Sequence, residues 1–378
     1  MRSYSALMQA RILHSTLTSD ARIRLSLDEI DLGTPGPDEV IVRVDAAPVN
    51  PTDVFLMLSL ADLSRAEHRG GVLEAPVSPA MTKVYAGRVD QPLPVGTEGA
   101  GTVVEAGSGT AAQALLGKVV ATHRGGMFAS HRKLPASGVD ALPAGRTAEE
   151  GASAFVNPMT ALSFVETMRA EGHRAIVHTA AASNLGQMLV RICADDGVPL
   201  VNIVRRPAQV EQLKALGAAH VLDSSAPSFA KDLVEAIAAT GATLAFDAIG
   251  GGTLGGQILD AMERVAARSM KTFSHYGSST LKQLYIYGGL DRAPTQLVRT
   301  FGMTWSASGY LVMNALRKLG PEVVARMTAR VMSELTTTFA SHFSHRISLD
   351  RMLDVETVRA FALLATGEKY LVTPARAP

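Results

Sequence analysis

The sequence predicts an α/β protein in which a β-barrel-like domain is joined to a doubly wound parallel sheet. Its 378 residues exceed what one hydrophobic core usually serves, which favours two domains. Up to about residue 150, short apolar runs are broken by Gly and Pro, and beyond it apolar strands alternate with segments of helical period. We therefore predict a β domain at residues 1–150, completed by residues 340–378, and a doubly wound domain at residues 151–339.

The first domain contains short strand-like runs with turn residues between them: Glu39–Val44, Gly101–Gly107 and Gly117–Thr122. Runs of this length separated by Gly and Pro are typical of a compact antiparallel or barrel-like β domain. Residues 60–84 show no clear period, and we expect an irregular insertion or a mobile lid there.

In the second domain, apolar strands alternate with helical segments. The predicted strands are Ala175–His178, Leu200–Val204, His220–Leu222 and Thr243–Asp247, and the predicted helices begin near Gly186, Val210 and Phe229. This alternation packs as a parallel sheet with helices on both faces. A long amphipathic helix is predicted from about Met313 to Leu335. The segment Gly367–Val372 is predicted as a turn and a last strand that returns to the first domain.

Composition and charge exclude several classes of function. The formal net charge is +1, from 36 Lys and Arg against 35 Asp and Glu, so no bulk field favours nucleic acid or an anionic membrane. A single cysteine, Cys193, excludes an internal disulfide and the zinc sites that need several thiolates. Neither a leader at Met1–Gln9 nor a long apolar window is present, so we expect a cytoplasmic protein that acts on a small molecule.

The first strand of the doubly wound domain leads into a turn of small residues and then into a helix. At such a place, main-chain N–H groups and the helix dipole can bind a pyrophosphate. The predicted contact residues are Ala181, Ser183, Asn184, Leu185 and Gly186. Gly186 is the only glycine in this turn, so the glycine fingerprint is incomplete. Taken alone, the turn is explained equally well by ordinary packing and by cofactor binding.

Arg205 and Arg206 follow the second strand of the same domain. An acidic residue at this place binds the ribose 2′-hydroxyl of NAD, whereas an arginine pairs with the 2′-phosphate of NADP. The pair therefore predicts NADPH as the cofactor, against the alternative of an exposed basic pair that merely ends a strand.

Glycine-rich segments follow two further strands of this domain. Asp247, Ile249 and Gly250 come after the fourth strand, and Tyr287 and Gly288 follow the next one. Each segment alone could be an ordinary turn, but carboxyl ends of parallel strands meet at one edge of the sheet. We therefore add these five residues to the predicted cofactor site.

Several motifs in chain order resemble those of the medium-chain dehydrogenase/reductase superfamily. They are Pro48–Asp53, Pro94–Gly101, Asn157–Ala161, the turn ending in Gly186–Gln187, and Thr366–Lys369. Within the superfamily, the chain is most similar to the zinc-independent quinone oxidoreductases and 2-enoyl thioester reductases. The resemblance implies a GroES-like β domain joined to a Rossmann domain that binds NADP, and a homodimer.

The resemblance also bears on metal and catalytic residues. Zinc-dependent relatives carry Gly-His-Glu where this chain has Gly96-Thr97-Glu98, and no cysteine lies near Asn50, so we predict no metal site. Reductases of the enoyl branch use a tyrosine before this motif, which implies Tyr85 as proton donor, although Tyr85 could instead only pack its loop. Asn50 and Thr160 are the polar groups expected near the nicotinamide.

Without a metal to polarise the substrate, the hydride acceptor must already be activated by conjugation. The leading hypothesis is an NADPH:quinone oxidoreductase, and the alternative is a reductase of enones or 2-enoyl thioesters. A hypothesis of another class is a redox sensor that binds NADPH without turnover. Steady NADPH consumption separates the two enzymes from the sensor.

Overall fold

The computed structural model describes residues 8–374. Residues 1–7, on which part of the leader prediction rests, and residues 375–378 of the predicted completing segment lie outside the described residues. The chain divides into two compact units, one of Met1–Val156 with Met332–Pro378 and one of Asn157–Val331. From the sequence, we placed these divisions at residues 150 and 339.

The described residues form twenty strands and twelve α-helices. The strands are β1 (Gln9–Leu17), β2 (Arg22–Asp31), β3 (Glu39–Pro48), β4 (Glu67–Arg69), β5 (Val72–Pro76), β6 (Leu93–Pro94), β7 (Gly99–Ala106), β8 (Val119–Thr122), β9 (His131–Pro135), β10 (Asp140–Ala141), β11 (Ile176–His178), β12 (Leu200–Val204), β13 (His220–Asp223), β14 (Leu244–Asp247), β15 (Gly250–Gly252), β16 (Lys282–Ile286), β17 (Asp291–Thr295), β18 (Trp305–Gly309), β19 (His345–Ile347) and β20 (Tyr370–Val372). The helices are α1 (Pro51–Leu58), α2 (Pro79–Val84), α3 (Thr110–Gln113), α4 (Ala148–Gly151), α5 (Val156–Ala170), α6 (Asn184–Asp195), α7 (Pro207–Ala215), α8 (Phe229–Thr240), α9 (Leu254–Ala267), α10 (Val312–Leu319), α11 (Pro321–Ser333) and α12 (Val355–Ala362).

The first unit is built on two sheets. One has the strand order β4-β5-β2-β1-β6, and the other has the order β10-β8-β7-β3-β20-β19, with β9 also paired to β3. All neighbours in these sheets are antiparallel except β19 and β20, which confirms the predicted antiparallel domain. The last strand, β20, pairs with β3, so the predicted return of the chain to the first domain is also confirmed.

The prediction that residues 60–84 are irregular is wrong, and the interpretation of this segment as an insertion or a mobile lid stays a prediction. The segment contains a hairpin of β4 and β5, and β5 pairs antiparallel with β2. Gly70 and Gly71 turn this hairpin with φ of 57° and 78°, a conformation in which glycine suffers no Cβ clash. Leu73 and Ala75 of β5 point into the core. The Gly-Gly dipeptide followed by alternating apolar residues was the signal that the sequence reading missed.

The second unit has one six-stranded sheet of order β13-β12-β11-β14-β16-β18 in which every pair is parallel. Successive residues of a strand face opposite sides of a sheet. Ala245 of β14 packs in a core with residues of α8 and α9, while the next residue, Phe246, stacks on Phe164 of α5. Helices therefore cover both faces, and the predicted doubly wound fold is confirmed.

One predicted helix is two helices. The segment predicted as a single helix at residues 313–335 is divided into α10 and α11 by Gly320, which has a φ of 86°, and Pro321. Proline has no N–H to donate to the preceding turn, and its ring clashes with that turn's carbonyl group. It is favourable at the first position of a new helix, so α11 begins there.

Candidate functional site

The turn between β11 and α6 brings its main-chain N–H groups to the carboxyl edge of the second unit's sheet. Ser183 caps α6 by accepting the Gly186 N–H at 3.1 Å. A Cβ added to Gly186 would lie 2.1 Å from the Ala181 carbonyl oxygen, closer than any real contact. Position 186 therefore admits only glycine, and the helix N-terminus with its partial positive charge lies directly behind the turn. Of the predicted pyrophosphate contacts, Ala181 and Ser183 lie in this turn, and Asn184, Leu185 and Gly186 form the first turn of α6.

Asp247 at the end of β14 holds the neighbouring loop rather than facing solvent. Its buried carboxylate accepts the Thr179 hydroxyl at 2.6 Å and the N–H groups of Ile249 and Gly250 at 2.9 and 3.1 Å. The Thr179 oxygen in turn accepts the Ala248 N–H at 2.8 Å. Asp247 thus fixes the shape of the loop that carries Ile249 and Gly250.

The loop after β16 touches the loop after β14. A Cβ on Gly250 would lie 2.6 Å from the Gly288 carbonyl oxygen, and one on Gly288 would lie 2.5 Å from that of Ala248. Beside them, the Tyr287 hydroxyl lies 2.8 Å from Nε2 of His178, the last residue of β11. Burial lowers the pKa of His178 to about 3 and raises that of Tyr287, so both side chains are neutral at physiological pH.

The three strand ends β11, β14 and β16 are therefore brought together by close glycine contacts and buried hydrogen bonds. Sequence reasoning missed His178 and Thr179 as members of this edge. A histidine at the end of the apolar strand Ile176–Val177 was the available signal, because a buried polar side chain needs a partner.

Arg205 and Arg206 lie directly after β12, the strand next to β11. Both residues are exposed, and neither guanidinium forms an ion pair with a carboxylate in the described part of the chain. Arg206 occupies the N-cap position of α7, and the Arg205 N–H donates to Gln209 Oε1 at 3.1 Å. The main chain at this pair is thus held in place while both charges remain available to an anion.

A second group of polar side chains is buried in the first unit around the start of α1. Asp53 accepts the N–H of Asn50 at 2.9 Å, and one of its oxygens accepts both the N–H and the hydroxyl of Thr97 at 2.6 Å. Thr97, the residue that stands where zinc-dependent relatives have histidine, is therefore a hydrogen-bond donor to a carboxylate. Burial raises the pKa of Asp53, although these hydrogen bonds oppose the shift.

Glu98 and Lys369 complete this group, which we call the buried polar cluster: Asn50, Asp53, Thr97, Glu98, Ser153 and Lys369. Glu98 accepts Nδ2 of Asn50 at 2.9 Å through Oε1, and Lys369 Nζ donates to Ser153 Oγ at 2.9 Å. Burial raises the pKa of Glu98, an effect opposed by the charge of Lys369. Loss of hydration lowers the pKa of the Lys369 ammonium to about 8, although the residue as a whole keeps some exposed surface. Of these residues, the sequence reading singled out only Asn50 as a site residue.

The predicted catalytic residues are not gathered within one unit. Asn50 and Tyr85 lie in the first unit, whereas Thr160 is buried in α5 of the second. Tyr85 ends α2, packs half-buried on the core and meets the edge of Phe55 at a centroid distance of 6.5 Å. Tyr85 also lies close enough to the Arg88 guanidinium to interact with it electrostatically.

Two other chemistries can be assessed from the described residues. Among them, no group of three or more His, Cys, Asp or Glu side chains is arranged to hold a metal ion. Cys193 is buried in α6, and burial raises its pKa to about 12. Its sulfur is therefore a thiol at neutral pH, and only the thiolate is a strong nucleophile.

Comparison with known proteins supports the same picture. Residues 36–144 match the model of the alcohol dehydrogenase GroES-like domain. An enoyl-[acyl-carrier-protein] reductase from Xenopus tropicalis, a mitochondrial protein, is 27% identical over 206 residues, which are 52% of this chain and 51% of the relative. The chain thus spans about half the length of the curated relative it matches.

Solved structures match nearly the whole chain. A Mesorhizobium loti protein, provisionally described as an NADPH:quinone reductase, is 25% identical with a TM-score of 0.71, over 97% of this chain and 98% of that one. The quinone oxidoreductase of Escherichia coli, solved with NADPH, is 18% identical with a TM-score of 0.65, over 97% and 100% of the two chains. At this lower identity the likeness establishes the fold alone. Residues 36–144 thus carry an alcohol dehydrogenase GroES-like domain, and over nearly its whole length the chain is similar to quinone and enoyl reductases, in keeping with the motifs that resemble the medium-chain dehydrogenase/reductase superfamily.

Proposed function

We propose that this chain is a zinc-independent, NADPH-dependent oxidoreductase that transfers hydride to a conjugated acceptor, in the manner of an NADPH:quinone oxidoreductase. The observation that carries the proposal is the edge of the second unit's sheet, where the N-terminus of α6, at which position 186 admits only glycine, lies one strand away from Arg205 and Arg206, two exposed arginines with no ion pair to any described carboxylate. This combination suits a pyrophosphate beside an additional phosphate.

The described residues fit NADPH in three places. The segment Ala181–Gly186 would hold the pyrophosphate, because main-chain N–H groups at the N-terminus of α6 suit an anion and Gly186 allows the close packing against Ala181 that shapes the segment. Arg205 and Arg206 would pair with the 2′-phosphate. The loops carrying Ile249, Gly250, Tyr287 and Gly288 would border the nicotinamide half. The Asp247 carboxylate fixes the first of these loops through the N–H groups of Ile249 and Gly250. When bound, NADPH supplies the hydride.

The remaining chemistry falls to polar side chains of the protein. As hydride reaches a conjugated acceptor, negative charge develops on oxygen and must be met by a donor or a proton. Tyr85 is the proposed proton donor, and Asn50 and Thr160 are the proposed polar groups near the nicotinamide.

The second candidate is a 2-enoyl thioester or enone reductase. It is favoured by the Xenopus tropicalis relative, which is an enoyl-[acyl-carrier-protein] reductase. Both candidates use the same cofactor site and differ only in the acceptor, so one panel of substrates distinguishes them.

The test is NADPH oxidation by the purified protein without added metal, followed by the absorbance of the reduced nicotinamide. Quinones, enones and enoyl thioesters are compared as acceptors, with NADH in parallel. We expect turnover that prefers NADPH, and the best acceptor class identifies the activity. Tight NADPH binding without turnover on any acceptor would favour a redox sensor, and the absence of binding would refute the proposal.

Three further features are part of this proposal. Zinc independence is supported by the commitment of Thr97 to Asp53, and a metal assay of the active protein tests it. A homodimer is supported by β18, the end strand of the six-stranded sheet, whose outer edge pairs with no strand among residues 8–374, and light scattering tests it.

A cytoplasmic location also remains a proposal, tested by cell fractionation. In the described range, no helix combines the length and the apolar character needed to cross a membrane. The Xenopus tropicalis relative is mitochondrial, so an organelle fraction is the informative comparison.

A further inference from the structure

The guanidinium group of Arg132 lies in the first unit without a partner. Arg132 belongs to β9, where it pairs with Val42 of β3, and its side chain is half-buried. Its Nε atom is shielded from solvent, and none of its nitrogens forms a hydrogen bond or an ion pair within residues 8–374. Loss of hydration lowers the pKa of this group, and no described charge offsets the shift. A cationic donor in this state carries a desolvation penalty until an acceptor reaches it.

Two other arginines show how the same unit usually treats such a group. The described arginines whose shielded Nε lacks a hydrogen bond are Arg22, Arg88 and Arg132. Arg22 is ion-paired with Glu74 at 3.3 Å, and Arg88 donates to two serine hydroxyls at 2.6 and 2.7 Å. Of these three, Arg132 alone has no described group that compensates its charge or accepts from its donors.

The Arg132 guanidinium lies against the main chain of a glycine turn. Gly125 and Gly126 follow β8 and have φ of 77° and 69°. A Cβ on Gly126 would lie 2.8 Å from Cζ of Arg132, so glycine leaves the space that the guanidinium occupies. The N–H groups of Gly125 and Gly126 donate to no acceptor among residues 8–374, although Gly126 is buried. Buried main-chain N–H groups are nearly always paired, so this turn also lacks an acceptor.

The same turn carries a second cation. Arg124 is exposed, and it forms no ion pair with a described carboxylate. Its side chain lies against Gly138, where a Cβ would be 2.9 Å from Arg124 Nε. The Thr122 hydroxyl holds this arrangement, because it donates to the Gly138 carbonyl oxygen at 2.7 Å and accepts the Arg124 N–H at 3.3 Å. Positive charge and N–H donors are therefore gathered at this turn without acceptors to match them.

We infer that the turn of Gly125 and Gly126, together with Arg132, binds a phosphate group. A planar guanidinium donates two parallel hydrogen bonds to one phosphate, and charge-assisted bonds of this kind are stronger than those between neutral groups. A water molecule would supply an acceptor to one donor but would leave the positive charge without a counter-charge. The site consists of residues of the first unit alone, and it does not depend on the cofactor site proposed for the second unit.

Two sources of phosphate fit this chemistry. One is a free phosphate anion. The other is the carrier of a 2-enoyl thioester, because coenzyme A and the phosphopantetheine arm of an acyl carrier protein contain phosphate groups, whereas simple quinones and enones contain none. The experiment below has an arm for each source.

The experiment titrates inorganic phosphate, against chloride at equal ionic strength, into protein labelled on arginine and glycine for NMR. It follows the Gly126 N–H signal and the Arg132 Nε–H signal, which is assigned by its absence from Arg132→Gln. We expect both signals to shift saturably in the parent, and the Kd reported by Gly126 to rise at least about tenfold in Arg132→Gln. Arg65→Gln, at an exposed arginine of the same unit, is the control and should leave the Kd unchanged. Shifts no larger than those in chloride, or the same Kd in parent and Arg132→Gln, would overturn the inference.

The double variant Arg205→Ala with Arg206→Ala separates this site from the proposed cofactor site. We expect the phosphate shifts of Arg132 and Gly126 to persist in it, and their loss would overturn the inference. A parent that shows the shifts but binds no NADPH would refute the proposed function alone.

The source is identified with two thioesters of the same enoyl group, one on coenzyme A and one on N-acetylcysteamine, which has no phosphate. A shift of the Arg132 signal by the coenzyme A thioester alone identifies the thioester carrier as the source. No shift with either thioester, together with the response to inorganic phosphate, identifies the free anion. Equal shifts with both thioesters would overturn the assignment to phosphate.

Discussion

At the carboxyl edge of the second unit's sheet, the polar groups are main-chain N–H groups and two exposed guanidinium groups. In the buried polar cluster, they are side chains that are largely removed from water, among them the carboxylates of Asp53 and Glu98. The first arrangement depends on backbone shape, with Gly186 and Gly250 in contact distances that no Cβ allows. The second depends on buried polar atoms that supply hydrogen-bond partners to one another, with Asp53 and Glu98 each accepting three hydrogen bonds. The two regions should therefore fail in different ways when they are altered.

The largest effect is expected from Gly186→Ala, which tests the dependence on backbone shape. The added Cβ meets the Ala181 carbonyl group, so we expect the free energy of unfolding to fall by about 2–4 kcal/mol, with loss of NADPH binding. Denaturant unfolding and NADPH titration measure both. Gly309→Ala, where a Cβ meets nothing, is the matched control. A Gly186→Ala protein as stable as this control would contradict the close contact.

Tyr85→Phe asks whether a single hydroxyl of the first unit has a chemical role. We expect turnover on the best acceptor to fall by about a hundredfold while the Kd of NADPH stays the same, because only the proton donor is removed. Steady-state kinetics and fluorescence titration measure the two quantities. Unchanged turnover would assign Tyr85 to packing against Phe55.

The double variant Arg205→Ala with Arg206→Ala tests the exposed charges of the sheet edge. A charge-assisted hydrogen bond contributes about 1.5–3 kcal/mol, so we expect NADPH affinity to fall roughly ten- to a hundredfold. NADH is the control ligand, because it lacks the 2′-phosphate, and its affinity should barely change. The same loss for both nucleotides would remove the assignment of NADPH.

Asp53→Asn tests whether the stability of the buried polar cluster depends on its polar atoms having hydrogen-bond partners. Its NH2 group must replace an oxygen that now accepts a hydrogen bond from Asn50 or Thr97, so we expect destabilisation of about 1–3 kcal/mol. Denaturant unfolding of this variant is compared with that of Asp20→Asn at an exposed position. Equal stability of the two variants would mean that the cluster tolerates an unpaired donor.

The smallest effect is a change in pH dependence at Lys369. Its pKa is lowered from 10.5 to about 8, so between these values the unfolded chain holds a proton that the folded protein has lost. The contribution of this group to stability therefore rises with pH across that window and is lost as pH falls through about 8. Lys369→Met should abolish this rise, whereas exposed Lys231→Met should leave it. Parallel pH profiles for parent and Lys369→Met would contradict the shift.

The sequence reading succeeded where a local pattern implies a local structure. The alternation of apolar strands and helical segments after residue 150 identified β11, β12, β13 and β14 to within a residue or so at each end. It failed where a Gly-Gly or Gly-Pro pair set the backbone conformation against the side-chain pattern of the surrounding segment. Gly70-Gly71 turned a supposed loop into a hairpin, and Gly320-Pro321 divided a supposed helix, because backbone dihedral angles at Gly and Pro override side-chain periodicity.

The candidate site likewise contains residues that could be located from the sequence and partners that could not. The turn before α6, the arginine pair after β12 and the glycines after β14 and β16 could be located from sequence, since the carboxyl ends of parallel strands always meet at one edge. The partners that hold this edge, such as Thr179 with Asp247 and His178 with Tyr287, could not. They are far apart in sequence and meet only through the register of the strands.

By itself, then, the sequence determined the fold class and the return of the last strand, because these follow from short-range periodicity and from Gly and Pro. Only the tertiary structure decided that Asn50, Glu98 and Lys369 share one buried cluster. The physical reason is that hydration loss and hydrogen-bond satisfaction depend on which residues are adjacent in space. No local pattern encodes that for residues from three distant segments of the chain.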